Sequence, residues 1–241
     1  MAYEGNEYHV GGFRILPPVV KNLLIINGLF FLATIALNGF GIDLTNALGL
    51  HFITAKSFHI YQLLTYQFMH GGFSHVFFNM FALWMFGSAL ENYWGGKRFL
   101  IYYLITGIGA GLTQELVWYI DLRDLLASSA EIVNMAGRHI SKMQYIDRYI
   151  TVGASGSVYG LLLAFGMLFP NVMIYIYFFI PIRAKWFVIV FGVIELISGI
   201  TSTGGDIAHF AHLGGMIFGF LLIKFWQRQQ KKRYKNSAYW E

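Results

Sequence analysis

The sequence predicts an all-α protein that crosses a lipid bilayer six times, and three observations lead there. Of its 241 residues, 56% are hydrophobic and only 12% are charged, about half the charged share of an average soluble domain. The apolar residues gather into six runs, each long enough or nearly long enough to cross a hydrocarbon core. The Lys and Arg residues collect at alternate ends of those runs, the pattern of a polytopic chain. A soluble fold of this length cannot bury so much apolar surface, and in lipid only helices or closed barrels satisfy their own backbone.

Taken in order, residues 1–19 form an N-terminal segment without the basic and apolar regions of a cleavable signal, so the first run is expected to act as an uncleaved anchor. The runs lie at about Leu23–Leu37, Val76–Leu90, Phe99–Ile120, Ser155–Phe169, Trp186–Ile200 and Ile207–Trp226, within a membrane domain of 20–226. Breaks fall at Gly39–Gly41, Gly95–Gly96, the polar stretch 121–152, Pro170 to Pro181, and Gly204–Gly205. An even number of spans puts both termini on one side. Arg14, Lys21, Lys97, Arg98, Arg183, Lys185, Lys224 and the basic residues of the 227–241 tail share that side. They make twelve of the seventeen Lys and Arg, so the termini are expected to be cytoplasmic.

Two connectors on the opposite side are long. Residues 39–74 are apolar and aromatic but broken by polar groups, which predicts a partly embedded loop lying sideways against the bundle. The 121–150 insertion has helical spacing and charges of both signs, which predicts a surface helix. The basic tail reads as an anchor at an anionic leaflet rather than a nucleic-acid site. The chain has no cysteine, which excludes disulfides, thiolate ligands and a cysteine nucleophile.

Polar side chains inside spans are costly in lipid and mark function. Three groups stand at the external ends of their helices. Gly153-Ala154-Ser155-Gly156 opens the short fourth run, with Tyr159 and Gly160 following. Gly156 and Gly160 have the spacing of a helix contact, and Ser155 has the position of a nucleophile at a helix N-terminus. Ala211-His212-x-x-Gly215-x-x-x-Gly219 places a histidine just above a second glycine face. His212 reads either as a structural histidine or as a base for Ser155. His209 and His212 are too few for a metal site without further ligands. His75 and Asn79, one turn apart, read as interhelical glue or as the two donors of an oxyanion hole.

At these residues the sequence resembles the rhomboid intramembrane proteases, over about residues 17–226. Four motifs carry the resemblance in order: His70…His75-x-x-x-Asn79 with Glu91 beyond it, the turn at Gly95, Arg98 and Phe99, Gly153-x-Ser155-Gly156, and Ala211-His212-x-x-Gly215-x-x-x-Gly219. The resemblance implies a six-helix bundle whose 39–74 loop is the lateral element and whose loop before the sixth helix is a cap. It implies a Ser155–His212 dyad, an oxyanion hole from His75, Asn79 and the Ser155 N–H, and Tyr159 packed under His212. Its substrates would be transmembrane proteins, with no metal, cofactor or nucleic acid. Tyr61-Gln62 stands where many members carry Trp-Arg, a departure expected to touch loop stability.

A non-catalytic rhomboid-fold client binder is the rival reading, although such proteins lack the serine or the histidine. A transporter would have to use Glu115 and Glu195, which stand on different helices without an evident partner. Neither Asp206 nor Glu195 has a claim from the sequence to complete a triad. The compact chain points to a prokaryotic plasma membrane, with the site opening to the external side.

Overall fold

A computed structural model describes residues 12–135, 137–176, 179–201 and 208–237. Six long helical rods form its frame: α1 (Pro18–Asn38), α2 (Phe73–Trp94), α3 (Gly96–Ala127), α4 (Ser155–Leu168), α5 (Ala184–Thr201) and α6 (His209–Ser237). All but α4 are long and apolar enough to cross a membrane. With 14 residues, α4 is about 21 Å long, shorter than a hydrocarbon core of about 30 Å. Its first residue therefore starts below one surface if its far end reaches the other. The expected Gly204–Gly205 break, Asp206 and the cap loop lie outside the described residues.

Pro17 and Pro18 open α1, where a missing N–H costs nothing. The next two amides, of Val19 and Val20, donate to the two carboxylate oxygens of Glu91 at 3.0 and 2.7 Å. Glu91 thus caps α1 from the far end of α2 with a charge suited to a helix N-terminus. Glu91→Ala would leave the fully buried Val20 amide without an acceptor. It is expected to cost roughly 2–3 kcal/mol, read as a lower Tm in detergent; an unchanged Tm would show that the cap is dispensable.

The α2 rod contains one wide π turn, Leu83–Gly87, between α-helical halves. It turns into α3 at Gly95, whose φ of +78° lies in the left-handed region that favours glycine. At this end of the bundle Tyr93 packs on Phe169 and Arg98 lies over Trp226, so the ends of α2 and α4 and the start of α3 meet α6 around Trp226.

Two sequence-based readings are corrected. The 121–150 insertion is not the single surface helix that its spacing predicts. Instead α3 runs on to Ala127, and a hairpin of β1 (Ile132–Met135) and β2 (Arg138–Ser141) follows. The β-branched pair Ile132-Val133 suits a strand, and Gly137 at φ +83° donates its N–H to the Asn134 side chain to make the turn. A five-residue helix, Lys142–Ile146, comes next, closed by a reciprocal Ser141–Gln144 capping box. The 227–241 tail is also not a separate segment from its start. With no Gly or Pro to stop it, α6 continues through good helix formers to Ser237. Between α4 and α5, strands Met173–Ile176 and Ile180–Arg183 pair into a second hairpin.

The 39–74 connector packs on the insertion. Leu50–His51 pairs antiparallel with Ile150–Thr151, four residues before Ser155. Phe52 and Ala55 share an apolar cluster with Trp118, Leu122 and Ile146. Gln62 is the connector's internal tie. Its carbonyl accepts from the His51 and His59 amides, and its amide donates to Ala47 and Ser57 oxygens. The Tyr61-Gln62 departure thus keeps the loop folded by a neutral network. Glu115 adds an external tie, accepting the Ile53 amide at 2.9 Å.

Candidate active site

The site forms where α4 begins. Gly153, at φ +130°, turns the chain into the helix and donates its N–H to the Tyr66 carbonyl at 2.9 Å. A Cβ there would lie 2.7 Å from His75 Nε2, so glycine is required for both conformation and space. Ser155 then stands as the first helical residue, with its side chain half exposed.

His212 comes to it from the first turn of α6. Its Nε2 lies 2.8 Å from Ser155 Oγ, and the pair is 57 residues apart in the chain. The Tyr159 ring lies parallel under the imidazole, with centroids 4.4 Å apart and planes 6° apart. The approach is possible because α4 and α6 touch through backbone: a Cβ on Gly215 would fall 2.0 Å from the Gly156 carbonyl oxygen. The other two glycines of the expected faces do not meet each other. Gly160 makes room for Thr106, and Gly219 makes room for the Tyr102 hydroxyl, both on α3. Tyr102 in turn donates to the Gly160 carbonyl at 2.8 Å. The contact is thus between three helices rather than two.

Ser155, His212, His75 and Asn79 all line one cavity of ≈ 960 Å³ that continues between α2 and α5 past Phe86 and Phe187. Asn79 Nδ2 donates to the His75 carbonyl one turn back at 3.0 Å, which leaves its second amide hydrogen for another acceptor. His75 packs edge-on against His70, centroids 5.1 Å apart. Burial and the His75 ring hold His70 down at about 4, so it is neutral at pH 7.

The structure adds one group that the sequence left without a role. Glu195, buried on α5, is hydrogen-bonded to His212 Nδ1 at 3.0 Å and to His209 Nδ1 at 2.7 Å, and accepts from the Tyr159 hydroxyl. These partners stand 14 to 36 positions away in the chain, so no local spacing reveals them. The available signal was a carboxylate inside an apolar span. The ligand atoms of Glu195, His209 and His212 lie within 4.8 Å of one another, the spacing of a cation site; here they bond to each other instead.

The family model of the Rhomboid domain matches residues 57–229. This chain belongs to the rhomboid family. It is an integral, multi-pass membrane protein. It is 27% identical over 177 residues to Rhomboid protein 1, mitochondrial, of Saccharomyces cerevisiae, covering 72% of this chain and 45% of that one. It is 33% identical over 164 residues to RHOMBOID-like protein 1 of Arabidopsis thaliana, covering 68% and 33%. Over 54 residues it is 41% identical to the rhomboid protease GluP of Bacillus subtilis, covering 22% and 11%. The chain thus spans less than half the length of these rhomboid relatives, which come from a bacterium, a yeast and a plant.

Proposed function

We propose that this rhomboid is an intramembrane serine endopeptidase that cuts peptide bonds in or near transmembrane segments of other proteins. The observation that carries the reading is the 2.8 Å hydrogen bond between Ser155 Oγ and His212 Nε2 at the head of a helix. His212 takes the Ser155 proton as the oxygen attacks the scissile carbonyl, then returns it to the leaving amine. Water hydrolyses the resulting acyl-enzyme. The oxyanion faces the Ser155 amide, which a helix N-terminus leaves unpaired, with His75 and Asn79 as side-chain donors. The cavity's apolar side, between α2 and α5, is a route for a substrate helix from the lipid. That helix must unwind locally to expose its carbonyl, so small or helix-breaking residues are expected at the cut.

The cluster of Lys97, Arg98 and the α6 tail lies at the end of the bundle away from Ser155. By the positive-inside rule both termini then face the cytoplasm and the site opens to the other side.

A fluorophosphonate, which reacts with an activated serine, tests the nucleophile directly. It is expected to label Ser155 alone in the reconstituted protein; labelling of another serine, or none, would sink the reading. The oxyanion donors are tested by turnover of a single-span reporter. His75→Ala and Asn79→Ala are each expected to lower kcat by about 10²–10³-fold, with KM nearly unchanged. A double variant as fast as wild type would remove both side chains from the hole.

A further inference from the structure

The geometry points to Glu195 as the third member of a Ser155–His212–Glu195 triad, a positioning residue that holds His212 in the tautomer able to accept the serine proton. This rests on the reading of Ser155 and His212 as nucleophile and base, and it concerns a carboxylate that a dyad would not need.

Three facts carry it. Glu195 is 6% exposed within an apolar helix, where a carboxylate is costly unless its oxygens are bonded. Its two oxygens are reached by three donors, one from α4 and two from α6: the Tyr159 hydroxyl on Oε1, and His209 Nδ1 and His212 Nδ1 on Oε2. Finally, the line from Glu195 through the His212 ring ends on Ser155 Oγ, 2.8 Å from Nε2.

An ionised carboxylate can only accept. Nδ1 of His212 must therefore carry the hydrogen, which leaves the Nε2 lone pair facing the serine hydroxyl. When Nε2 takes the proton, the ring becomes an imidazolium whose Nδ1–H already points at a negative charge. Glu195 keeps its charge throughout and takes no proton. Tyr159 has two separate parts in this arrangement: its ring supports the imidazole from below, and its hydroxyl pins the carboxylate. His209 pins the other side, sharing Oε2 with His212.

A purely structural carboxylate, tying α5 to α4 and α6, would make the same bonds. The test therefore reads the tautomer and the kinetic split rather than stability. In the reconstituted full chain, Glu195→Gln is expected to lower kcat by about 10²–10⁴-fold while KM moves by no more than about threefold. Glu195→Asp, which keeps the charge, is expected to recover at least about tenfold of that loss. In wild type, ¹⁵N spectra of the imidazoles, assigned by loss of a signal in His212→Gln, are expected to show His212 protonated at Nδ1 and bare at Nε2. A Glu195→Gln kcat within about threefold of wild type, an aspartate no better than glutamine, or a wild-type His212 protonated at Nε2 would each overturn the triad. The tautomer measurement needs no Glu195 variant, so it decides even if Glu195→Gln fails to fold. Failure of the underlying reading looks different: Ser155→Ala would stay active whatever Glu195 does.

Discussion

Ser155→Ala and His212→Ala are each expected to abolish cleavage of a single-span reporter in liposomes, with kcat falling by about 10⁶-fold. Two features of the site set that size. Among the described residues, the Ser155 hydroxyl is the only group placed both at the head of α4 and within hydrogen-bond reach of His212. Its loss leaves no oxygen to form the acyl-enzyme. Without His212 the hydroxyl is still there, but it keeps its proton and is a poor nucleophile at neutral pH. On the proposed mechanism the two groups act as one unit, so the double variant is expected to be no slower than either single one. Any residual rate would come from oxyanion donors and substrate positioning alone. The comparison is made at equal amounts of folded protein, judged by thermal unfolding in detergent. Wild-type rates in either variant would refute the assignment.

Gly215→Ala is expected to be the most damaging change that touches no reacting group. The added carbon would fall 2.0 Å from the Gly156 oxygen and 2.8 Å from its carbonyl carbon. Both are backbone atoms of α4, so no side chain can rotate away, and α6 must move off by about 1 Å or more to restore contact distance. Gly156 follows Ser155, and Gly215 sits one turn below His212, so the displacement opens the 2.8 Å bond itself. A misplacement of about 1 Å is worth roughly 100-fold in rate, and overpacking costs about 1–3 kcal/mol in stability. Activity and Tm should therefore fall together. Gly28→Ala is the control: a Cβ there meets nothing within 4 Å, and inside α1 the change should stabilise by about 0.5–1 kcal/mol. If Gly215→Ala behaved like Gly28→Ala, the backbone contact would not be what sets the site.

These cases show what could be read from the chain alone. The apolar runs around α1 to α6 were legible because a membrane helix satisfies its own backbone and needs only length and apolarity. Helix ends were less legible. Nothing in the hydropathy stops α3 at Ile120 or α6 at Trp226, and both continue by propensity into polar sequence. Within the 121–150 insertion, residues 132–141 were misread as helix. A polar stretch outside the lipid loses the strong apolar signal, and Asn134 and Gly137 make a turn there that helical spacing conceals.

By itself the sequence determined the class of protein, the short helix beginning at Ser155, and the two glycine faces of α4 and α6. Those follow from local composition and from residue types with few uses. Only the tertiary structure decided which groups meet: His212 with Ser155 across 57 residues, Glu195 with three donors from two other helices, and Gly160 with Thr106 rather than with Gly219. Hydrogen bonds and close contacts of this kind depend on how helices rotate and slide against one another. That is set by the sum of many weak packing contacts, which no single stretch of sequence contains.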